Sequence, residues 1–340
     1  YYPAIYLAIK SKNVALKRLI LDRKLYASKN PFQMQMILIL TSSANDPKLF
    51  NGMYSGLSPS LLSGEGRRHY YLAAGGNVEM LKEVLNNTPA DKVKDSLQQA
   101  IGGCLLYGQP AVLDMLIQDY LPQYPLSFLS LASIFNTIYN DQVMRWDSVA
   151  QARTKYEDQL SSIWKAFLSK LDIEPTTGNQ GTLEAMMKVG LAYASKEILH
   201  YLLDKGKVDL DTFQVDNQSI IGFCVKYNCP LESLKILVAH EKEKLGLGDS
   251  VHSPWLDSHF LGNPDDFKYL FEHRTFQLLV FVYENTSSET WARVWEQVKG
   301  KGCYSKMMLR MLMEACSFHE ENAIQKLVGM GMDLNVFDSW

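Results

Sequence analysis

Apolar residues recur at the spacing of one helix face in six separate stretches of this chain. None of those helices is long enough to bury its face alone. The stretches are 7–21 (LAIKSKNVALKRLIL, with Leu7, Val14, Leu16, Leu19, Ile20 and Leu21 mostly on one face), 77–87, 111–121, 196–206, 231–240 and 322–331. Each follows a short break and an earlier helix rich in Ala, Cys and Gly, as in YYLAAGG, IGGCLLYG, GLAYAS, GFCVKYN and LMEACSFHE. Small residues are expected where helices approach closely. A short helix, a tight turn and a longer amphipathic helix make a hairpin that has to stack on a neighbour to stay dry.

Two of these helices stop on glycine and run into an extended acidic piece, LLDKGKVDLD at 202–211 and KLVGMGMDLNVFD at 326–338. Gly206 and Gly331 are expected to take the left-handed conformation that ends a helix without a Cβ clash. The Asp and Asn that follow are expected to tie the next loop down through side-chain to backbone bonds.

On these residues the chain resembles the ankyrin repeat family. In 198–238, Leu202, Leu203, Gly206, Asp209, Leu210 and Asp211 match the first half of the family pattern. Asp216, Ser219, Ile221 and Cys224 stand at its Asp, Thr, Leu and Ala positions, and Leu234, Ile236, Leu237 and Val238 match the next helix. PAIYLAIKSKN near the start is similar to the same signature, with Tyr6 at the His position, and ACSFHEENAIQKLVGMGMDLNVFD near the end is similar again.

Turn anchors Asn77 and Gln109 stand 32 apart, and Ser195 and Pro230 stand 35 apart, close to the family period of about 33. Intervals of 64 (13 to 77), 86 (109 to 195) and 90 (230 to 320) suggest intervening units that have drifted. The full Thr-Pro-Leu-His-x-Ala motif is absent, and 122–182 and 241–305 have no clean match.

The resemblance implies an all-α, ankyrin-like helical-hairpin solenoid with irregular insertions. Repeats occupy 1–121, a divergent helical segment 122–182, and further repeats 183–340 with a divergent stretch at 241–305. It also implies work by binding another protein through loops and the concave inner-helix face.

Segment 45–68 reads as a long loop from its Gly, Ser and Pro, and 172–182 and 246–266 read as further loops, the last holding Trp255. Residues 121–128 break the pattern by prolines. Residues 141–171 read as a longer charged helix or helix pair carrying Trp146, Tyr156 and Trp164. Trp291 and Trp295, four apart, share one helix face and read as core.

The chain is 47% hydrophobic and 21% charged, which supports a sizeable core and excludes a disordered chain. Lys and Arg total 34 against 37 Asp and Glu, a balance that argues against wholesale nucleic-acid binding. Residues 1–82 nevertheless hold 11 basic and four acidic side chains, a net of +7, which keeps an electrostatic nucleic-acid or membrane reading as an alternative. Lys17, Arg18, Arg67 and Arg68 would carry it.

Cys104, Cys224, Cys229, Cys303 and Cys316 are scattered without a C-x-x-C pair. Reduced thiols, and an intracellular, cytoplasmic setting, are expected from that usage. No uninterrupted apolar run approaches the ~18 residues of a membrane span. The sequence begins at Tyr1 and stops at Trp340 soon after an Asp-Leu-Asn turn, so further sequence at either end is compatible with both.

A P-loop and a Gly-x-Ser-x-Gly elbow are both missing. SGEGRRH offers Gly64, Gly66, Arg67 and Arg68 to a phosphate, but no strand precedes it and a surface loop is the plainer reading. His252 and His259 lack metal-ligand spacing and read as loop histidines. Asp265 and Asp266 suit a helix start. Cys316 beside His319 sits where a repeat wants a small buried residue.

The expectation is therefore non-enzymatic, with no catalytic residue, cofactor, metal or small-molecule substrate. An enzyme carrying a small insertion in 122–182 or 241–305 is the rival. The loops expected to meet a partner are Lys207–Gln214, the insert Gly56–His69 and Phe337–Trp340. They offer Lys207, Asp209, Thr212, Phe213, Gln214, Arg67, Arg68, His69, Phe337 and Trp340.

Overall fold

The computed structural model describes residues 2–11, 13–23, 31–56, 67–127, 129–141, 157–171, 179–206, 208–299, 309–314 and 323–331. The chain is all-α. Among the described residues, strand is confined to one two-stranded antiparallel ladder, Gln214–Val215 against Gln218–Ser219. No described helix is long and apolar enough to cross a membrane. Two compact units are present, Tyr1–Val189 and Gly190–Trp340.

The first unit runs α1 (Tyr2–Lys10), α2 (Val14–Asp22), α3 (Pro31–Ser43), α4 (Pro47–Ser55), α5 (Arg67–Gly75), α6 (Val78–Asn86), α7 (Val93–Tyr107), α8 (Pro110–Met115, extended by a wider π turn over Leu116–Tyr120), α9 (Leu131–Tyr139) and α10 (Glu157–Leu168). α11 (Gln180–Tyr193) crosses the division.

The second unit continues with α12 (Lys196–His200, extended by a π turn over Tyr201–Lys205), the ladder, α13 (Ile220–Tyr227), α14 (Leu231–Leu245), α15 (Pro254–Gly262), α16 (Pro264–His273), α17 (Phe276–Asn285) and α18 (Ser288–Lys299). A helical stretch at 309–314 and α19 (Ala323–Gly329) follow.

One turn recurs. Besides Gly246 (φ 65°) and Gly331 (φ 92°), five residues end a helix in the left-handed conformation and lead directly into the next helix: Asn45 (φ 53°), Gly76 (78°), Gly108 (61°), Ala194 (49°) and Asn228 (54°). In each case the next residue's N–H reaches back five residues: Asp46 to Thr41 (3.4 Å), Asn77 to Leu72 (3.1 Å), Gln109 to Cys104 (2.9 Å), Ser195 to Gly190 (3.0 Å) and Cys229 to Cys224 (3.1 Å). This is the Schellman closure, which satisfies carbonyls that the helix end leaves open. The residue after the left-handed position then starts the next helix, except after Asn228, where Pro230 does so. Asp46 accepts from Leu49 N and Asn77 from Met80 N, while Pro47 and Pro110 fill first-turn positions that need no N–H.

The left-handed positions stand 31 and 32 apart at 45, 76 and 108, and 34 apart at 194 and 228. The hairpin α3/α4 thus fills the 64-residue interval that the sequence left open.

Stacking follows chain order in the first unit: α1 packs on α3, α3 on α5, α5 on α7 and α7 on α9. Glycines set the approach. A Cβ at Gly103 would stand 2.5 Å from Tyr70 O on α5, and one at Gly75 would stand 2.4 Å from Ser42 Oγ on α3. A Cβ at Gly102, on the other side of α7, would meet Thr137 of α9 at 3.2 Å.

Side chains also close the stack. Tyr6 of α1 and Tyr107 of α7 lie 6.4 Å apart between ring centroids, and Lys10 Nζ donates to Tyr107 O (3.1 Å) and Gly108 O (2.9 Å). In a straight rod of hairpins α1 and α7 would be too far apart to touch. Here the helices curl until they share a buried tyrosine cluster.

Several hairpins also close the open end of an earlier one. Asn77 Nδ2 donates to Ser42 O at the end of α3 (3.0 Å), and Gln109 Nε2 to Ala74 O at the end of α5 (2.8 Å). In the second unit Ser233 Oγ donates to Leu191 O at the end of α11 (2.6 Å). Arg274, at the end of α16, donates to Val225 O and Lys226 O at the end of α13. Arg310 repeats the move on Phe271 O (2.7 Å) and Arg274 O (2.9 Å), while its ion-pair partner Glu314 accepts from Phe276 N at the start of α17 (2.8 Å).

Several expectations change. Segment 45–68 is not one loop: α4 occupies Pro47–Ser55 because Asp46 caps it and Phe50 anchors it in the core, and α5 begins at Arg67. Segment 172–182 already contains the start of α11 at Gln180, and 246–266 contains α15 and the start of α16, with Trp255 buried. Gly206 is right-handed (φ −71°); its need for glycine is space, since a Cβ would stand 2.8 Å from Leu202 O at the close of the π turn. Gly331 is left-handed (φ 92°) as expected.

On α2 the expected apolar face is split. Val14, Leu16 and Leu19 are 49%, 40% and 50% exposed, while Lys17, Ile20 and Leu21 are buried. Lys17 reaches Ser43 O through its Nζ (2.9 Å), so the face that packs carries a hydrogen-bonded lysine stem.

Candidate interaction surfaces

The head of α5 gathers the first group of sequence-predicted residues. Arg68 Nη2 donates to Asn51 Oδ1 on α4 (2.8 Å). His69 is buried, with Nε2 3.1 Å from Thr88 Oγ1, and that hydroxyl spends its one proton on Val84 O (2.8 Å). Thr88 is therefore the acceptor, and His69 carries its proton on Nε2.

A cleft of ≈ 430 Å³ opens beside them, lined among others by Tyr54, Arg68, His69, Glu83, Asn87 and Lys92. Burial pushes the Tyr54 phenol above its ordinary pKa, and the Arg68 and Arg67 charges and an Arg68 backbone hydrogen bond pull it back. Two cations, Arg68 and Lys92, line the cleft with one carboxylate, Glu83, so it suits an acidic side chain better than a basic one.

Arg67 faces a second, smaller recess of ≈ 140 Å³ with Tyr70, Gln99, Thr137, Asn140 and Asp141. Its floor is the buried carboxylate of Asp141, which accepts from Tyr70 O–H and lies 3.3 Å from the Tyr107 hydroxyl. Tyr107 O–H also lies 3.6 Å from Met36 Sδ. A carboxylate is a much stronger acceptor than a thioether, so the phenol proton belongs to Asp141. Tyr70 stands edge-on to both Tyr71 (5.7 Å) and Tyr107 (6.3 Å). This cluster fills the space between the inner helices.

In the second unit, the ladder is a two-residue hairpin whose tip residues Asp216 (φ 50°) and Asn217 (φ 58°) are both left-handed, the twist that such hairpins favour. Ser219 Oγ accepts from Gly222 N (3.0 Å) and so caps the start of α13. Asp209 ties the approach as expected, accepting from Asp211 N (3.1 Å) and Thr212 Oγ1 (3.2 Å). Trp255 Nε1 donates to Leu210 O (3.2 Å) and pins the same loop to α15.

Asp209, Thr212 and Gln214 are exposed, but Phe213 is buried. Phe213 and Val215 point inward and Gln214 outward, the alternation that a strand imposes, so Phe213 is a core residue rather than a contact residue. Lys207, Phe337 and Trp340 lie outside the described residues, as do Trp146, Tyr156, Cys316 and His319.

His259 is not in a loop: it is buried on α15 with Nε2 3.0 Å from Asp266 Oδ2. Asp265 and Asp266 occupy the first turn of α16, the position expected for them. Trp291 and Trp295 are stacked in the core at 5.4 Å, and their indole N–H groups hold Met330 O (2.9 Å) and Gly331 O (3.2 Å) at the end of α19.

Sequence reasoning missed Tyr54, Lys92 and Asp141. Each reaches its cleft from a different hairpin, and nothing local marks it. No family model, no curated protein and no solved structure matches the chain.

Proposed function

We propose that this chain is a non-enzymatic scaffold that binds another protein, built as an ankyrin-like array of helical hairpins. The observation that carries the reading is the recurring left-handed turn at 45, 76, 108, 194 and 228. It sets the ends of neighbouring hairpins 31 to 34 residues apart, with one longer gap from 108 to 194, and leaves their far ends and loops to vary. Such arrays hold a surface rigid while the loops supply contacts. In the first unit the contact region is the cleft of Arg68, His69 and Lys92, because tyrosines occupy the space between the inner helices. In the second it is the hairpin tip with Asp209, Thr212 and Gln214. The free thiols Cys104, Cys224 and Cys229 suit an intracellular setting.

A photo-crosslinking amino acid placed at Lys92 or Gln214 tests this in cells of the source organism. The expected result is the same discrete protein captured at both positions and not at exposed control positions on outer helix faces, such as Glu79 and Lys235. Equal capture everywhere, or none, contradicts the reading.

A further inference from the structure

We infer that Cys224 and Cys229 form a peroxide-sensitive dithiol, oxidised to an intramolecular disulfide across the end of α13. The turn geometry brings them together. Asn228 is the left-handed residue, so Cys224 and Cys229 are the two positions that a Schellman closure sets side by side, and Cys229 N donates to Cys224 O (3.1 Å). Side chains at those two positions commonly touch, and here both are thiols in mutual hydrogen-bond contact. A disulfide needs its two Cα atoms about 4.4–6.8 Å apart, and the direct backbone hydrogen bond keeps these two residues close.

The two sulfurs are not equivalent. Cys224 is buried, with its thiol pKa raised well above the ordinary value by the hydrogen bond with Cys229 and by burial. Cys229 is half-buried and reachable from solvent. The Arg274 guanidinium, anchored on Val225 O and Lys226 O, lies within charge reach of Cys229. Of the two thiols, Cys229 is therefore the one a small oxidant can reach. Cys104, wholly buried with its pKa pushed up by burial, has neither access nor a cation.

The oxidant is hydrogen peroxide. The Cys229 thiolate attacks one peroxide oxygen, the O–O bond breaks, and the departing hydroxide takes a proton from solvent as water. The sulfur is now a sulfenic acid. Cys224 sulfur then attacks Cys229 sulfur, the S–O bond breaks, and the Cys224 proton leaves with the hydroxyl as a second water. Two thiols lose two electrons to one peroxide. A dithiol reductant reverses the step.

The test uses the native protein, treated with hydrogen peroxide near pH 7.5, blocked with N-ethylmaleimide and digested with trypsin without reduction. Cleavage after Lys226 separates the two cysteines into peptides 208–226 and 227–235, so a disulfide between them appears as a linked pair. The expected result is that the linked pair becomes the main form of both peptides and disappears with dithiothreitol. In Cys224→Ser, which keeps a small side chain, dimedone labelling of Cys229 should rise at least ~10-fold over wild type, because the resolving thiol is gone. Both cysteines recovered as separate maleimide adducts from peroxide-treated wild type would overturn the inference. So would linkage that forms only after denaturation.

Discussion

Gly102 and Gly103 sit back to back on α7 and serve opposite neighbours, Gly103 towards α5 and Gly102 towards α9. The requirement is space alone, since both lie inside a helix where glycine costs about 1 kcal/mol relative to alanine. That cost is offset by backbones that come almost into contact.

Lys10 is the other residue whose chemistry the packing sets. Burial lowers its pKa from 10.5 to about 8. The unfolded chain keeps the proton up to about 10.5, so folding releases a proton between those values. The cost of burying the ammonium is complete below pH 8 and gone above 10.5, and stability climbs with pH in between. The neutral amine still has two protons for Tyr107 O and Gly108 O. Urea unfolding of wild type and Lys10→Met at pH 7 and pH 9.5 reads this directly. Wild type should gain on the variant as pH rises, and parallel behaviour would refute the assignment.

At the scale of elements, the turn is the organising unit, and Asn77 shows how much one residue does there. It caps α6 through Met80 N, and its amide reaches Ser42 O and Asn45 Oδ1 in the previous hairpin (3.0 Å each). Asn77→Ala removes a cap and leaves buried acceptors open, so a loss of about 2–3 kcal/mol is expected by chemical denaturation. A loss under about 0.5 kcal/mol would mean that water replaces the amide without cost.

Legibility followed the same physics. α6 and α12 were readable because polar and apolar faces alternate along them. α3 was not, since Met36–Leu40 are all buried and no face stands out. α4 and α15 were hidden by their own starts: Pro47 and Pro254 sit in first helical turns, where proline is welcome, and the same letters read as loop. α16, starting at Pro264, was masked the same way, although its acidic first turn was expected. The exposure of Val14, Leu16 and Leu19 on α2 could not be foreseen, because period alone says which residues share a face and not whether a neighbour covers it. Arg67, Arg68 and His69 were found as a local cluster, whereas Tyr54, Lys92 and Asp141 join them only through long-range packing.

On the scale of the whole molecule, each of the two units is a set of hairpins too small to stand alone. In the first, α1 through α9 stack in order and then curl onto the Tyr6–Tyr107 contact; in the second, Ser233, Arg274 and Arg310 carry the same end-to-end closure. What the account predicts is that a hairpin's stability resides partly in the next one.

Amide hydrogen exchange on Gly103→Ala measures this most directly, because the added methyl on α7 would stand 2.5 Å from Tyr70 O on α5. Overpacking at a rigid backbone should cost about 2–3 kcal/mol. Protection should fall together in α3, α5 and α7, three helices from three hairpins. Loss of protection confined to α7, with α3 and α5 exchanging as in wild type, would contradict the account.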